Sequence, residues 1–148
     1  MTTPVWNPLP LGMGRLKILI LEDCPERQKK FCDNLMAADS IVIVENPSDA
    51  KAKLNEEEWD VLFLDHDLGG QVYQESKEGT GWEVADWLSK NESRKPPTII
   101  CHSLNTAGRN NMLSLLPGAI DLPWAWELVK IQNITKAVDV SGPNIVDM

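Results

Sequence analysis

The chain has 148 residues, 43% of them hydrophobic, and a formal net charge of -8 from 22 acidic and 14 basic residues. This size predicts one domain with a sizeable core, and the acidic balance argues against binding to nucleic acid polymers or to a membrane. Three cysteines, odd in number and without metal-type pairing, favour a cytoplasmic location over a disulfide scaffold. The sequence leaves the oligomeric state open, a homo-oligomer included.

Strand and helix patterns alternate along the chain. In chain order they predict strand 16–22, helix 25–37, strand 41–46, helix 47–58, strand 59–65, loop 68–81, helix 81–91, strand 96–103 and helix 105–116. Residues 118–131 hold a short fifth strand and the start of a last helix. We expect residues 16–134 to form the domain, with an extended arm at 1–15 and an irregular tail at 135–148. Apolar strands alternating with helices are typical of an α/β sandwich with a parallel sheet covered on both faces.

Polar residues follow three of the predicted strands. They are Glu22 and Asp23 after the first, Asp65, His66 and Asp67 after the third, and His102, Ser103 and Asn105 after the fourth. Ligands bind at the carboxyl ends of the strands in open parallel α/β sheets. Because both histidines of the chain belong to this set, the pattern predicts a single site at this edge.

The carboxylates of this set would repel one another if no cation lay between them. We expect Glu22, Asp23, Asp65 and Asp67 to hold a divalent metal. Mg²⁺ prefers oxygen ligands, whereas a histidine ligand would move the preference toward Mn²⁺.

The catalytic residues expected at this site are His102, His66 and Asp65. His102 is the better proton donor to a leaving oxygen, and His66, held between two carboxylates, is expected to be a metal ligand or an oriented group beside one. The alternative is that both histidines are structural, one in a tight turn and the other in the core.

A small anionic ligand is expected to bind beside this metal. The residues predicted to contact it are Ser103, Asn105, Arg109, Asn110 and Trp124. The start of helix 105–116 offers backbone N–H groups to an anion, Arg109 is a candidate phosphate clamp, and Trp124 could stack on a base. Asn105 is equally well explained as a helix N-cap, and Arg109 as a solvated surface residue.

The segments KILILED and LFLD resemble the receiver domain of two-component response regulators. That family carries an acidic pair after the first strand and a phosphorylatable aspartate after the third, and Glu22, Asp23 and Asp65 stand at those positions. The resemblance implies a Mg²⁺ site and a flavodoxin-like, five-stranded parallel sheet of order 2-1-3-4-5. The chain departs from the family at AIDLPWAW, which lacks the lysine that receivers carry, and at CHSLN, which replaces a lone Thr or Ser.

The combination of LDHDLGG, GTGWEVADWL and IICHSLNTAGRNNM is similar to a modified receiver group, the cyclic-phosphate processing receiver domain, over about residues 16–125. That resemblance implies the handling of cyclic phosphates or nucleotide-derived signals, often in bacterial and phage conflict. The first hypothesis is that the protein is a metal-dependent phosphoesterase acting on a cyclic nucleotide or cyclic phosphate. The alternatives are a protein that sequesters such a ligand, or a phosphoacceptor receiver, against which the missing lysine counts.

Overall fold

The computed structural model describes residues 16–35, 38 and 40–129, so the arm expected at 1–15 and the tail expected at 135–148 lie outside the described residues. The elements are β1 (Lys17–Leu21), α1 (Pro25–Leu35), β2 (Ser40–Val44), α2 (Pro47–Glu56), β3 (Val61–Leu64), α3 (Gly81–Ser89), β4 (Thr98–Cys101), α4 (Thr106–Leu115), β5 (Ile120–Asp121) and α5 (Ala125–Leu128). A short 3-10 helix, Glu92–Arg94, was not predicted. None of the helices in these ranges is long and apolar enough to cross a bilayer.

The five strands form one parallel sheet in the order β2-β1-β3-β4-β5, as predicted. Leu21 pairs with Leu64, and Leu64 pairs with Cys101, so β1, β3 and β4 end level with one another. The residues that follow these strands therefore start from the same edge of the sheet.

Helices cover both faces of the sheet, which gives the expected three-layer sandwich. Leu19 and Leu21 pack in a core with residues of α2, α3 and α4, while Ile18 and Ile20 pack in a second core with residues of α1 and α5. Successive strand side chains point to opposite faces, so a strand buried on both faces must be apolar along its whole length. Each fully buried side chain of this kind contributes about 1.5–3 kcal/mol relative to an exposed one.

Proline and asparagine residues set where the first helices begin. Pro25 and Pro47 each open a helix, a position at which the missing N–H is not needed. The Asn46 side chain caps α2 by accepting a hydrogen bond from the backbone N–H of Asp49 at 2.8 Å. Pro25 fixes the start of α1 directly after the carboxyl end of β1.

A candidate site at the carboxyl edge of the sheet

A cavity of about 390 Å³ opens at the carboxyl ends of β1, β3 and β4. Its lining residues are Asp23, Cys24, Pro25, Arg27, Asp65, Asp67, Gly70, Gln71, Val72, Tyr73, Ser103, Leu104 and Asn105. Small-molecule sites have volumes of about 300–1,000 Å³. The cavity is therefore large enough for a ligand well beyond the size of a single phosphate ion.

Three buried polar residues lie level with one another beneath this cavity. Glu22, Asp65 and His102 each follow the last residue of a strand, and the strands end in register. Alternation along a strand directs this position to the layer of α1 and α5, where Phe63 also packs. One ligand atom from each of the three lies within 4.8 Å of the others, and all three residues are buried.

Glu22 makes two hydrogen bonds in this cluster. His102 Nε2 lies 3.0 Å from Glu22 Oε1, and the backbone N–H of Cys24 donates to Oε2 at 3.0 Å. Burial would raise the pKa of Glu22, but the hydrogen bond and charge of His102, with help from Cys24 and Arg27, outweigh burial and lower that pKa. Glu22 is thus held as a carboxylate.

Asp65 has the opposite electrostatic environment. Burial raises its pKa well above the ordinary value, and the negative charge of Glu22 raises it further. Arg27 and the backbone N–H of His66, which donates to Asp65 Oδ1 at 2.8 Å, oppose this shift without cancelling it. Without a metal, Asp65 therefore favours its protonated form, whereas a cation bound beside it would favour the carboxylate.

Aromatic rings surround the imidazole of His102. Its ring centroid lies 5.0 Å from that of Phe31, 6.2 Å from that of Phe63 and 6.1 Å from that of Trp126. The side chain is fully buried, and Nδ1 makes no hydrogen bond to any described residue. His102 can therefore act on a ligand in the cavity only through Glu22 or another intervening group.

Arg27 places a positive charge at the cavity. Its guanidinium carbon lies 4.1 Å from the ring centroid of Trp126, and its Nη1 lies 4.0 Å from Glu22 Oε1. Among the described residues that line the cavity, it alone carries a lysine or arginine side chain. Arg27 is not among the residues expected at this site, because PERQKK is typical of an ordinary charged helix surface. Its position just after Pro25 nevertheless places it at this edge of the sheet.

Asp67 organises the loop that covers one side of the cavity. Its Oδ1 accepts hydrogen bonds from Asn105 Nδ2 at 3.0 Å and from the backbone N–H of Gln74 at 3.2 Å, and its Oδ2 accepts from that of Tyr73 at 2.6 Å. Burial would raise the pKa of Asp67, but these bonds and one from His66 lower it. Asp67 lines the cavity, but the structure does not bring this expected metal ligand into the Glu22 cluster.

Asp23 lines the cavity from the opposite side of the same loop. Its Oδ2 accepts a hydrogen bond from the backbone N–H of Gly70 at 3.0 Å. Asp23 lies outside the cluster of three but lines the cavity. Its role as a metal ligand stays a prediction.

His66 points away from the cavity, toward the layer of α3 and α4. Its Nδ1 lies 2.8 Å from Asp67 Oδ1, and its Nε2 lies 2.9 Å from Ser76 Oγ. The backbone of Gly108 packs against the ring so closely that a Cβ there would lie 2.5 Å from the ring carbon Cγ. Neither histidine is among the described residues that line the cavity.

The predicted ligand-binding residues divide into two groups. Ser103 and Asn105 line the cavity, and Asn105 also caps α4 by accepting from the backbone N–H of Gly108 at 2.9 Å. Arg109 is instead bound to Asp121 and to the carbonyl of Ser103.

Asn110 and Trp124 belong with Arg109 in the second group. Asn110 is exposed on α4, and Trp124 packs beside Trp126 at a centroid distance of 5.4 Å. The structure does not bring these two residues, or Arg109, into the described lining of the cavity.

Solved structures similar to this chain are receiver domains. They include the signal receiver domain of a protein described as a Luxo repressor from Vibrio parahaemolyticus (18% identity, 84% of this chain and 87% of that chain, TM-score 0.57). The Mn(2+)-bound form of response regulator Rcp1 matches with 16% identity over 88% of this chain and 94% of that chain, TM-score 0.55. The receiver domain of RcsB from Escherichia coli matches with 16% identity over 84% and 87%, TM-score 0.52. At such low identities the structural similarity establishes the fold alone, and it confirms the predicted receiver-like, flavodoxin-like architecture.

No curated protein sequence matches the chain. The family model of the cyclic-phosphate processing receiver domain matches residues 18–118, which include all three strand ends at the cavity. The chain therefore belongs to the cyclic-phosphate processing receiver domain family.

Proposed function

We propose that this domain is a metal-dependent phosphoesterase that binds a cyclic nucleotide, or another small cyclic phosphate ester, in the cavity at the carboxyl edge of the sheet. One observation carries the proposal: the same cavity has the carboxylates of Asp23 and Asp65 and the guanidinium of Arg27 in its wall. A divalent cation needs the carboxylates, and an anionic ester needs positive charge beside them. Membership of a family named for cyclic-phosphate processing supports the same ligand class.

The residues present fit a divalent cation. Glu22, Asp65 and His102 offer two carboxylates and an imidazole within 4.8 Å of one another, and Asp23 lies at the cavity surface nearby. Because burial and Glu22 raise the pKa of Asp65, a cation there would take the place of a proton. This mixed oxygen and nitrogen set suits Mn²⁺ at least as well as Mg²⁺, and the solved receiver Rcp1 is described in a Mn(2+)-bound form. Such a cation, when bound, polarises a phosphoryl oxygen and lowers the pKa of water.

Arg27 is the residue that we assign to the phosphate. A guanidinium offers planar, paired N–H donors that match phosphate oxygens. Its position over the Trp126 ring, 4.1 Å from the centroid, limits the orientations it must give up on binding. Arg109, the residue expected from the sequence, is bound to Asp121 and is less free for this role.

The rim of the cavity favours a ligand with an aromatic or apolar part. Val72 and Tyr73 are 74% and 73% exposed, and both line the cavity. The backbone N–H of Tyr73 is held by Asp67 at 2.6 Å, which fixes where the side chain starts. An aromatic ring in such a place can stack on a nucleobase, and this supports a nucleotide over a bare cyclic phosphate.

The hydrolysis would add a water oxygen to phosphorus and break one P–O bond of the ring. The oxygen that leaves needs a proton. His102 is the expected donor, and His66 is the expected metal ligand or oriented group beside one. Both rings are fully buried and outside the described lining of the cavity. This burial favours the second candidate function, in which the domain sequesters the nucleotide without cleaving it, with His102 positioning Glu22.

The experiment that separates these functions is incubation of the full chain with a panel of cyclic mononucleotides and cyclic dinucleotides. Each is tested with Mg²⁺, Mn²⁺ or EDTA, and mass spectrometry reports both bound and opened ligand. A phosphoesterase gives opened product with a metal and none with EDTA. Nucleotide that is bound but intact would contradict hydrolysis and support sequestration. The absence of binding across the panel would contradict both functions.

A further inference from the structure

A second set of chemistry-bearing groups lies beside α4, and of these groups only Asp67 also lines the cavity. Ser76 Oγ lies 2.9 Å from His66 Nε2, and His66 Nδ1 lies 2.8 Å from Asp67 Oδ1. The order of these contacts is hydroxyl, imidazole, carboxylate. A serine nucleophile, its base and the group that orients the base are connected in this order in unrelated hydrolases.

The other contacts of these residues determine where the protons lie. Asp67 accepts N–H bonds from Tyr73, Gln74 and Asn105, as an ionised carboxylate does. With Asp67 ionised, we assign to His66 the tautomer in which Nδ1 donates to Asp67 and Nε2 is an acceptor. The hydroxyl of Ser76 then donates to Nε2.

A neighbouring amide completes the arrangement around the serine. Asn111 Nδ2 donates to Ser76 Oγ at 2.8 Å, so the serine oxygen accepts one hydrogen bond while its own proton is directed to His66.

The imidazole is held rigidly. The backbone of Gly108 would put a Cβ only 2.5 Å from the ring, so the ring fits against α4 because this residue is glycine. At the other end of the loop, Gly81 packs on the carbonyl of Asp65, where a Cβ would lie 1.7 Å away. The backbone N–H of Gly81 donates to the carbonyl of His66 at 2.9 Å. These contacts fix the base before any substrate arrives.

Ser76 is more exposed to solvent than His66, as a nucleophile and its base require. The ring of His66 is fully buried, whereas Ser76 is partly exposed and Asn111 is exposed. Ser76 therefore lies nearer the surface than its base, which is shielded from water.

We propose that Ser76, His66 and Asp67 form a catalytic triad in which Ser76 takes up an acyl or phosphoryl group from an activated ester. The Ser76 oxygen bonds to the carbonyl carbon or phosphorus, and the bond from that atom to the leaving group breaks. The hydroxyl proton passes to His66 Nε2 and then to the leaving group. Ser76 and His66 lie outside the described lining of the metal cavity, whereas Asp67 also lines it. The reaction proposed at Ser76 does not depend on the function proposed for the cavity.

The test treats the folded full chain with a fluorophosphonate ester, which loses fluoride when a serine oxygen bonds to its phosphorus. Intact mass and peptide mapping then locate the adduct. Ser114 is an internal control, because it is an exposed α4 serine that donates to the Asn111 carbonyl and has no histidine beside it among the described residues. We expect Ser76 to be labelled on the order of 10²-fold faster than Ser114, the usual contribution of a positioned base.

Two variants and a second reagent extend the test. Ser76→Ala should remove the adduct, and His66→Gln should slow labelling on the order of 10²-fold, with circular dichroism reporting whether the variant folds. A nitrophenyl ester used in parallel shows whether carbonyl esters react as well as phosphoryl ones. If wild type labels Ser76 no faster than Ser114, or equally fast after unfolding in urea, the three residues only anchor the loop and the proposal is overturned.

Discussion

Glu22 and His102 form a hydrogen-bonded pair, with Oε1 and Nε2 3.0 Å apart, in which both side chains are fully buried. They come from strands β1 and β4, which β3 separates in the sheet. Asp65, at the end of β3, lies between them at the same level. The pair therefore fixes one carboxylate behind the cavity, and burial together with the charge of this carboxylate raises the pKa of the neighbouring Asp65.

Replacing His102 should destabilise the fold because it leaves Glu22 buried without its main partner. Removal of one member of a buried pair costs about 3–5 kcal/mol, so we expect His102→Leu to lower the free energy of unfolding by roughly that amount. Urea denaturation measures it. The double variant with Glu22→Leu should recover part of the loss, and additive losses would show that the two residues are not coupled.

The raised pKa of Asp65 gives metal-free protein a pH-dependent stability. Between the unfolded and folded pKa values the folded state binds more protons, so this carboxyl's contribution is favourable below the unfolded pKa and falls as the pH rises through the folded pKa. Asp65→Asn removes that loss. We expect the variant to unfold at a higher temperature than wild type in EDTA at neutral pH, with the difference shrinking toward about pH 4.

In Mn²⁺, wild type should instead unfold at a higher temperature than Asp65→Asn. A cation that binds only the folded state stabilises it, and Asp65→Asn removes a negatively charged ligand. Thermal unfolding with Mn²⁺ should therefore show a large stabilisation of wild type and a small one of the variant. Equal stabilisation of the two proteins would place the metal elsewhere.

Arg27→Gln should weaken the binding of a cyclic mononucleotide. A hydrogen bond to a charged group is worth about 1.5–3 kcal/mol, which corresponds to a loss of roughly 10- to 100-fold in affinity. Equilibrium dialysis with Mn²⁺ measures the loss. Arg94→Gln is the matched control, because Arg94 is exposed and precedes β4 at the opposite edge of the sheet; equal effects of the two variants would remove Arg27 from the site.

Tyr73→Ser should weaken nucleotide binding while leaving a base-free ester unaffected. Stacking of a base on an aromatic ring is worth about 1–3 kcal/mol, and Tyr73→Phe should retain it. The comparison uses a cyclic mononucleotide and glycerol cyclic phosphate with each variant. If both ligands lose the same affinity, Tyr73 shapes the loop and does not recognise the base.

The sequence predicted the edge of the sheet at which the polar residues meet, but not the direction of each side chain. Asp23, Asp65 and Ser103 line the cavity at the strand ends, and their roles toward a metal or ligand stay predictions. The expectation that ligands bind beyond the strand ends did not show that His102 points to the α1–α5 layer and His66 to the other layer, although period-two alternation along β3 and β4 contains this information. Two residues that follow neighbouring strands can therefore lie at the same edge of the sheet while their side chains face opposite layers.

The ligand-facing arginine could not be chosen from the pattern. Arg109 follows a strand end as closely as a phosphate clamp should, but Asp121 and the Ser103 carbonyl bind its guanidinium. Arg27 is directed to the cavity by its contact with Trp126, a residue about a hundred positions away in the chain. Long-range packing of this kind leaves no local signal.

A cyclic nucleotide and a divalent cation must occupy this cavity together if the domain either hydrolyses or sequesters the nucleotide. Calorimetry of wild type and Asp65→Asn with a cyclic mononucleotide, in Mn²⁺ and in EDTA, measures this binding. We expect tight binding by wild type in Mn²⁺, with clearly weaker binding in EDTA and by the variant. Binding that is indifferent to both Mn²⁺ and Asp65, or no binding at all, would contradict this expectation.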